Sequence, residues 1–172
     1  MQEQRGSGKK QALAITQAAA VAAIYVVLTF VFAPISFGAV QFRIAEALTI
    51  LPMFTWAAVP GLFVGCLLGN ILGGAMLLDI IFGSIATLIG AVFTYLLRKR
   101  SPLIAVIPPI LSNTLIIPFI LYYVYGVEMF FPLIMLTVCI GEIGSCGVLG
   151  VPMAYVLRKY HGLFPEDKEK KK

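Results

Sequence analysis

Six polar residues interrupt long apolar runs: Arg43, Glu46, Asn70, Asp79, Asn113 and Glu142. Glu142 is the most deeply placed carboxylate, with Arg43, Asn70 and Asn113 as candidate partners. Arg43 and Glu46 are three residues apart, so on a helix they either pair directly or leave one of them to meet a ligand. Asp79 stands where a helix begins, and it either caps that helix or binds. Asn113 follows Pro108-Pro109 and precedes Pro118. Prolines there break regular geometry and free backbone groups, as at transport sites. Carboxylates accept paired hydrogen bonds from an amidine-like edge. Aromatic rings stack on a flat ligand, and Tyr122, Tyr123 and Tyr125 lie near the rim. The chemistry on offer is capture of a flat molecule rich in N–H donors, or of a cation. An acidic vitamin matches it less well.

Catalytic patterns are missing. No G-x-x-x-x-G-K-[ST] phosphate loop occurs: Gly8-Lys9 copies its end, but Glu3 and Lys10 stand at the positions of its first Gly and its Ser or Thr. The single histidine, His161, rules out an H-E-x-x-H metal site. Gly144-Ser145-Cys146-Gly147 offers a nucleophile type without a base. Cys66, Cys139 and Cys146 fit neither a zinc spacing nor a disulfide framework, and they read as small packing residues. The chain therefore reads as no enzyme, with no metal and no cofactor of its own. If it moves a solute, the energy comes from an ion gradient or a partner.

The elements that position these residues follow from composition. Of 172 residues, 60% are apolar and 12% charged, with mean hydropathy +0.96. This excludes an ordinary soluble domain. A membrane span takes roughly 20 residues. Six spans fit, at about 11–33, 42–57, 61–78, 80–97, 103–124 and 131–157. The fold class is an all-α integral membrane bundle. Residues 1–10 and 158–172 read as basic tails around a domain at 11–157. The tails and Arg98-Lys99-Arg100 fall on one side of six spans, which the positive-inside rule makes cytoplasmic. Arg43 is then the one outward cation, facing Glu46, Asp79, Glu128 and Glu142. The net charge of +5 is a topology signal, not a nucleic-acid footprint.

Loops and small residues complete the plan. Residues 34–41 form the longest outward loop and could cap a cavity; Glu128 sits solvated in another. The tail from about Phe164 is expected to be mobile. Gly61, Gly65, Gly69 and Gly73 recur every fourth residue, and Gly141, Gly144, Gly147 and Gly150 every third. Such rows let helices approach closely inside a bundle. Ala14, Ala18 and Ala22 form a similar row beside the N-terminal tail, where a partner subunit could dock. Spans three and six share a Gly-rich texture around Asn70 and Glu142, which hints at a three-plus-three repeat.

Several of these segments carry a resemblance. They are the Ala14, Ala18, Ala22 row, residues 35–43 with Glu46-Ala47-Leu48-Thr49, Gly65-Cys66-Leu67 through Asn70, Leu78-Asp79-Ile80-Ile81-Phe82-Gly83-Ser84, and Gly141-Glu142. Over about residues 10–160 the chain resembles the QueT family, substrate-binding S components of energy-coupling factor (ECF) transporters. The resemblance implies a plasma-membrane subunit that captures a queuosine precursor, either a 7-deazaguanine base or queuine. It implies partners too: a transmembrane coupling protein and two cytoplasmic ATPases, which use the ATP. Ala14, Ala18 and Ala22 match the row that meets the coupling protein. In the residue-level reading, Glu142 or Asp79 accepts from the base, Arg43 and Glu46 fix the first loop, and Asn113 orients. An S component for another nutrient, an autonomous ion-coupled carrier and a ligand-free assembly subunit remain alternatives.

Overall fold

The computed structural model describes residues 2–36 and 42–160. Residues 37–41, the second part of the first loop, and residues 161–172 lie outside the described residues. Helix α1 (Gln2–Val31) is followed by one turn, α2 (Ala33–Ser36). A 3-10 helix spans Ile44–Met53, before α3 (Ala58–Leu72) and α4 (Leu77–Leu96). Then come α5 (Pro102–Ala105), α6 (Ile107–Tyr123) and α7 (Phe131–Glu142), a π-helix (Ile143–Gly150) and α8 (Val151–Lys159). No strand occurs among the described residues. Four stretches are long and apolar enough to cross a membrane: Gly8–Val31, Leu77–Leu96, Pro102–Tyr123 and Phe131–Lys159. Ile44–Met53 and Ala58–Leu72 are shorter apolar helices. These six segments correspond to the six expected spans.

The departures have local causes. The second span is a 3-10 helix, which rises about 2.0 Å per residue, so ten residues cover about 20 Å. The third ends at Leu72, earlier than expected, where Gly74 turns the chain with φ +74°, a conformation open to glycine. The fifth breaks at Val106, because Pro108 and Pro109 have no N–H to carry the ladder backwards. Pro118 is tolerated inside α6. The sixth span passes through the π-helix, rich in glycine and ending just before Pro152. Helix α1 takes in the basic N-terminal stretch from Gln2 onward.

Glycine sets the closest approaches. A methyl group on Gly61 would lie 2.6 Å from the Ala18 carbonyl oxygen, and one on Gly65 3.0 Å from Ala22 Cα. The α3 glycine row therefore packs on the alanine row of α1, as expected for a packing face. On α4, a methyl on Gly90 would meet Pro109 Cα at 2.7 Å, so α4 and α6 are equally close. The 3-10 and π segments lie against each other in the middle of the bundle. Ile15, Val27, Phe30, Leu77, Leu115 and Phe119 are exposed, which gives the bundle the apolar exterior of a lipid-facing surface.

Candidate functional site

All six polar residues singled out in the sequence are buried, none more than 6% exposed. Arg43 enters just ahead of the 3-10 helix, and Glu46 sits in its first turn. Asn70 comes from the end of α3, Asp79 from the first turn of α4, Asn113 from α6 and Glu142 from the end of α7. Arg43 and Glu142 are the residues at which the 3-10 and the π segment begin, and Glu46 lies inside the first of these, so the irregular segments start at the site.

One group is centred on Asp79. Arg43 Nη2 donates to its two carboxylate oxygens at 3.4 and 3.5 Å. The Tyr125 hydroxyl donates to Asp79 Oδ2 at 2.9 Å and accepts from the Met76 amide at 3.1 Å. Burial pushes the Tyr125 phenol up from its ordinary value, so it remains a proton donor at neutral pH. Gly83 leaves room at the centre: a methyl there would lie 3.1 Å from Asp79 Oδ1, 3.3 Å from Asn70 Nδ2 and 3.6 Å from Arg43 Nη1. Asp79 makes no helix-capping bond. Its carboxylate is taken by Arg43 and Tyr125, which corrects the capping alternative.

The second group is centred on Glu46 and Glu142. Glu46 Oε1 accepts from the Tyr25 hydroxyl at 2.5 Å and from Thr87 Oγ1 at 3.0 Å. Thr87 also lies 3.4 Å from Cys66 Sγ, to which Asn70 Nδ2 donates at 3.6 Å. The Cys146 thiol lies 3.4 Å from Glu142 Oε2 and 3.4 Å from the Glu46 carbonyl oxygen. Ligand atoms of Glu46, Glu142 and Cys146 all fall within 4.8 Å of one another. Asn113 stands beside Glu142. Yet Glu46 Oε2 and both amide atoms of Asn113 find no hydrogen-bond partner among the described residues. A buried polar atom left unmade costs about 1–3 kcal/mol, and these are the atoms of the group with donor and acceptor capacity to spare.

What it can hold follows from the donor types. Two carboxylates accept N–H donors or a cation, and the Asn113 amide both donates and accepts. By type, two carboxylates and a thiol are also the beginnings of a metal ligand set, although the cysteine spacing in the sequence carried no metal pattern. Cys66 and Cys146 are thus members of the polar cluster, a correction to their reading as packing residues. Tyr25, Thr87 and Tyr125 join it as well. The sequence held a signal for the cysteines: Cys66 and Asn70, and Glu142 and Cys146, are each four apart, one helical turn. Two grooves between α4 and α6, bordered by Phe82 and Phe119 and by Phe93 and Leu111, are apolar and belong to the exterior.

The alanine row is divided. Ala14 is exposed, Ala18 half-buried and Ala22 buried against α3. The expectation of a three-residue docking face is corrected to that extent, since α3 already covers Ala22. Glu128 is exposed, as expected of a loop residue.

Comparison with known proteins adds to this geometry. The profile of the family described as "QueT transporter" matches residues 15–159. A curated relative, the "Queuosine precursor transporter QueT" of Lactococcus lactis subsp. cremoris (strain MG1363), is 34% identical over 83 residues. Those residues cover 47% of this chain and 48% of the relative, so the alignment spans about half the length of the relative. No solved structure matches the chain.

Proposed function

Because the chain belongs to the QueT transporter family, we propose that it is the substrate-binding membrane subunit of an ECF transporter for a queuosine precursor, a 7-deazaguanine base or queuine. The observation that carries this reading is the pair of unsatisfied buried groups, Glu46 Oε2 and the Asn113 amide, beside Glu142. A guanine-like edge offers ring and exocyclic N–H donors next to a carbonyl oxygen. Glu142 accepts from the donors, and the Asn113 amide donates to the carbonyl oxygen. Glu46 supplies the second acceptor. Asp79, held by Arg43 and Tyr125, fixes the rim and does not meet the base.

In this reading uptake is powered by ATP at two partner ATPases, reached through a transmembrane coupling protein, which accords with a sequence that carries no phosphate loop. Docking uses α1, where Ala14 is the exposed member of the alanine row. Both termini face the cytoplasm. In support, Arg158 Nη2 donates to the Arg100 carbonyl oxygen at 3.1 Å, which puts two of the basic clusters at one end of the bundle.

The test is calorimetric titration of the purified full chain with queuine, 7-deazaguanine bases and guanine. Saturable binding of a deazaguanine that weakens in Glu142→Gln and Asn113→Ala is the expected result. Folded protein that binds none of them overturns the reading.

A further inference from the structure

The basic end of the bundle carries charge that the buried cluster does not use. Arg98, Lys99 and Arg100 follow α4, and Arg158 and Lys159 close α8. Arg158 Nη2 donates to the Arg100 carbonyl oxygen at 3.1 Å, so the two groups stand together. Arg98 is fixed as well: its Nη1 donates to the Tyr95 carbonyl oxygen at 3.2 Å, and its guanidinium carbon lies 4.1 Å from the centre of the Tyr95 ring. Tyr95 in turn packs edge-on against Trp56, with ring centres 4.8 Å apart. No ion pair joins these cations to a carboxylate among the described residues. Trp56 is exposed, as are Tyr155 and Tyr160 on either side of Arg158, which is the aromatic belt of a membrane interface.

A groove runs from this cluster along the outside of the bundle. It lies between α4 and α6, has a volume of about 380 Å³, and its walls include Ile89, Phe93, Leu97, Ile104 and Leu111. Leu97 and Ile104 stand on either side of the loop that carries Arg98, Lys99 and Arg100, so the groove opens at the cations. The Ser112 hydroxyl in its wall is spent on the Pro109 carbonyl oxygen at 3.1 Å. From Ile89 to Leu97 is about 12 Å of helix at 1.5 Å per residue. One leaflet supplies about 15 Å of a 30 Å hydrocarbon core. The groove thus has the depth of one leaflet, with positive charge at its mouth.

We propose that the α4–α6 groove and the basic loop at its mouth form a binding site for an anionic glycerophospholipid. An acyl chain lies along Phe93 and Leu111, and the phosphate meets Arg98 and Arg100. Guanidinium groups bind phosphate oxygens through paired hydrogen bonds, and basic pockets between spanning helices take anionic headgroups. An acidic protein surface would match the cations but not the groove beneath them, whose shape suits a chain. The site stands apart from the buried carboxylates and does not depend on the deazaguanine reading.

The experiment is native mass spectrometry of the purified full chain in detergent, titrated with phosphatidylglycerol and with phosphatidylcholine of the same acyl chains. A basic side chain at an anionic surface is worth about fivefold in affinity. With two arginines on the phosphate, phosphatidylglycerol is expected to bind about tenfold or more tightly than phosphatidylcholine. Arg98→Gln combined with Arg100→Gln should bring that ratio towards one, and Ile104→Trp, which fills the groove, should weaken both lipids. Equal affinities of the two lipids for the unmodified chain overturn the proposal and leave the cations to an acidic partner protein. A preference that survives the double substitution overturns it as well. Glycerol 3-phosphate, the soluble headgroup, should compete poorly; competition as strong as that of the lipid removes the groove from the site and overturns the proposal. The lipid comparison needs no variant, so a substituted protein that fails to fold does not shield it.

Discussion

Asp79 and Glu142 belong to one buried polar cluster, yet their neighbourhoods are finished differently. Asp79 has two oxygens and uses both, with Arg43 on one face and Tyr125 anchored to the Met76 amide on the other. Glu142 has a thiol neighbour, a second carboxylate within 4.8 Å and beside it an amide without a hydrogen bond of good geometry. Both are equally removed from water, so burial does not separate them. Satisfaction does. A saturated buried pair holds the structure, because removing one partner strands the other. An unsaturated group adds little to the fold and is free to act on a ligand. The first neighbourhood therefore reads as framework, the second as binding site.

The largest expected effect breaks the framework. Asp79→Ala leaves the Arg43 guanidinium buried without its carboxylate, which costs about 3–5 kcal/mol. Chemical or thermal unfolding in detergent should show that loss. A change below about 1 kcal/mol would mean the Arg43–Asp79 pair holds little, and the contrast would collapse. Next comes Glu142→Gln, which keeps shape and replaces the carboxyl group with an amide. Its fold should persist, while deazaguanine affinity falls by about 10- to 100-fold, the worth of a charge-assisted hydrogen bond. A Glu142→Gln protein that unfolds like Asp79→Ala would place Glu142 in the framework instead.

How much of this contrast was readable beforehand depends on the residue. The six polar positions stood out because any polar side chain in an apolar run demands a reason, and all six are buried together. Six spans followed from length and hydropathy. The division into saturated and unsaturated groups was not readable, because it depends on the third dimension: Arg43 meets Asp79, 36 residues away, while Glu46 meets Tyr25, 21 residues back. The 3-10 and π segments were hidden for a similar reason. Apolar periodicity over ten residues does not distinguish helices of slightly different pitch. Ala22 shows the same limit. Its row has the spacing of a docking face, but only the fold reveals that Gly65 already occupies it.

Asn113 sharpens the comparison from the other side. Its amide has no hydrogen bond of good geometry, so an apolar residue of similar volume should be tolerated where a buried polar one usually is not. Asn113→Leu removes two unsatisfied atoms whose burial costs about 1–3 kcal/mol. Its midpoint of unfolding should stay level or rise, while deazaguanine binding weakens about tenfold, measured on the same preparation. A marked drop in stability would show that Asn113 is held by contacts of its own.

The smallest effect tests the rim. Tyr125→Phe deletes one hydroxyl, which donates to Asp79 at 2.9 Å and receives the Met76 amide. The residue is only part-buried, so water can replace what is lost, and the cost is about 0.5–1.5 kcal/mol. Because Arg43 still holds Asp79, the framework should survive, and deazaguanine affinity should change less than threefold or so. The comparison with Glu142→Gln is direct: both substitutions remove a polar contribution and preserve shape, one at a saturated end and one at an unsaturated end. If Tyr125→Phe weakened binding as strongly as Glu142→Gln, the ligand would have to reach the rim. The boundary between framework and binding site would then run through Asp79 and not between Asp79 and Glu46.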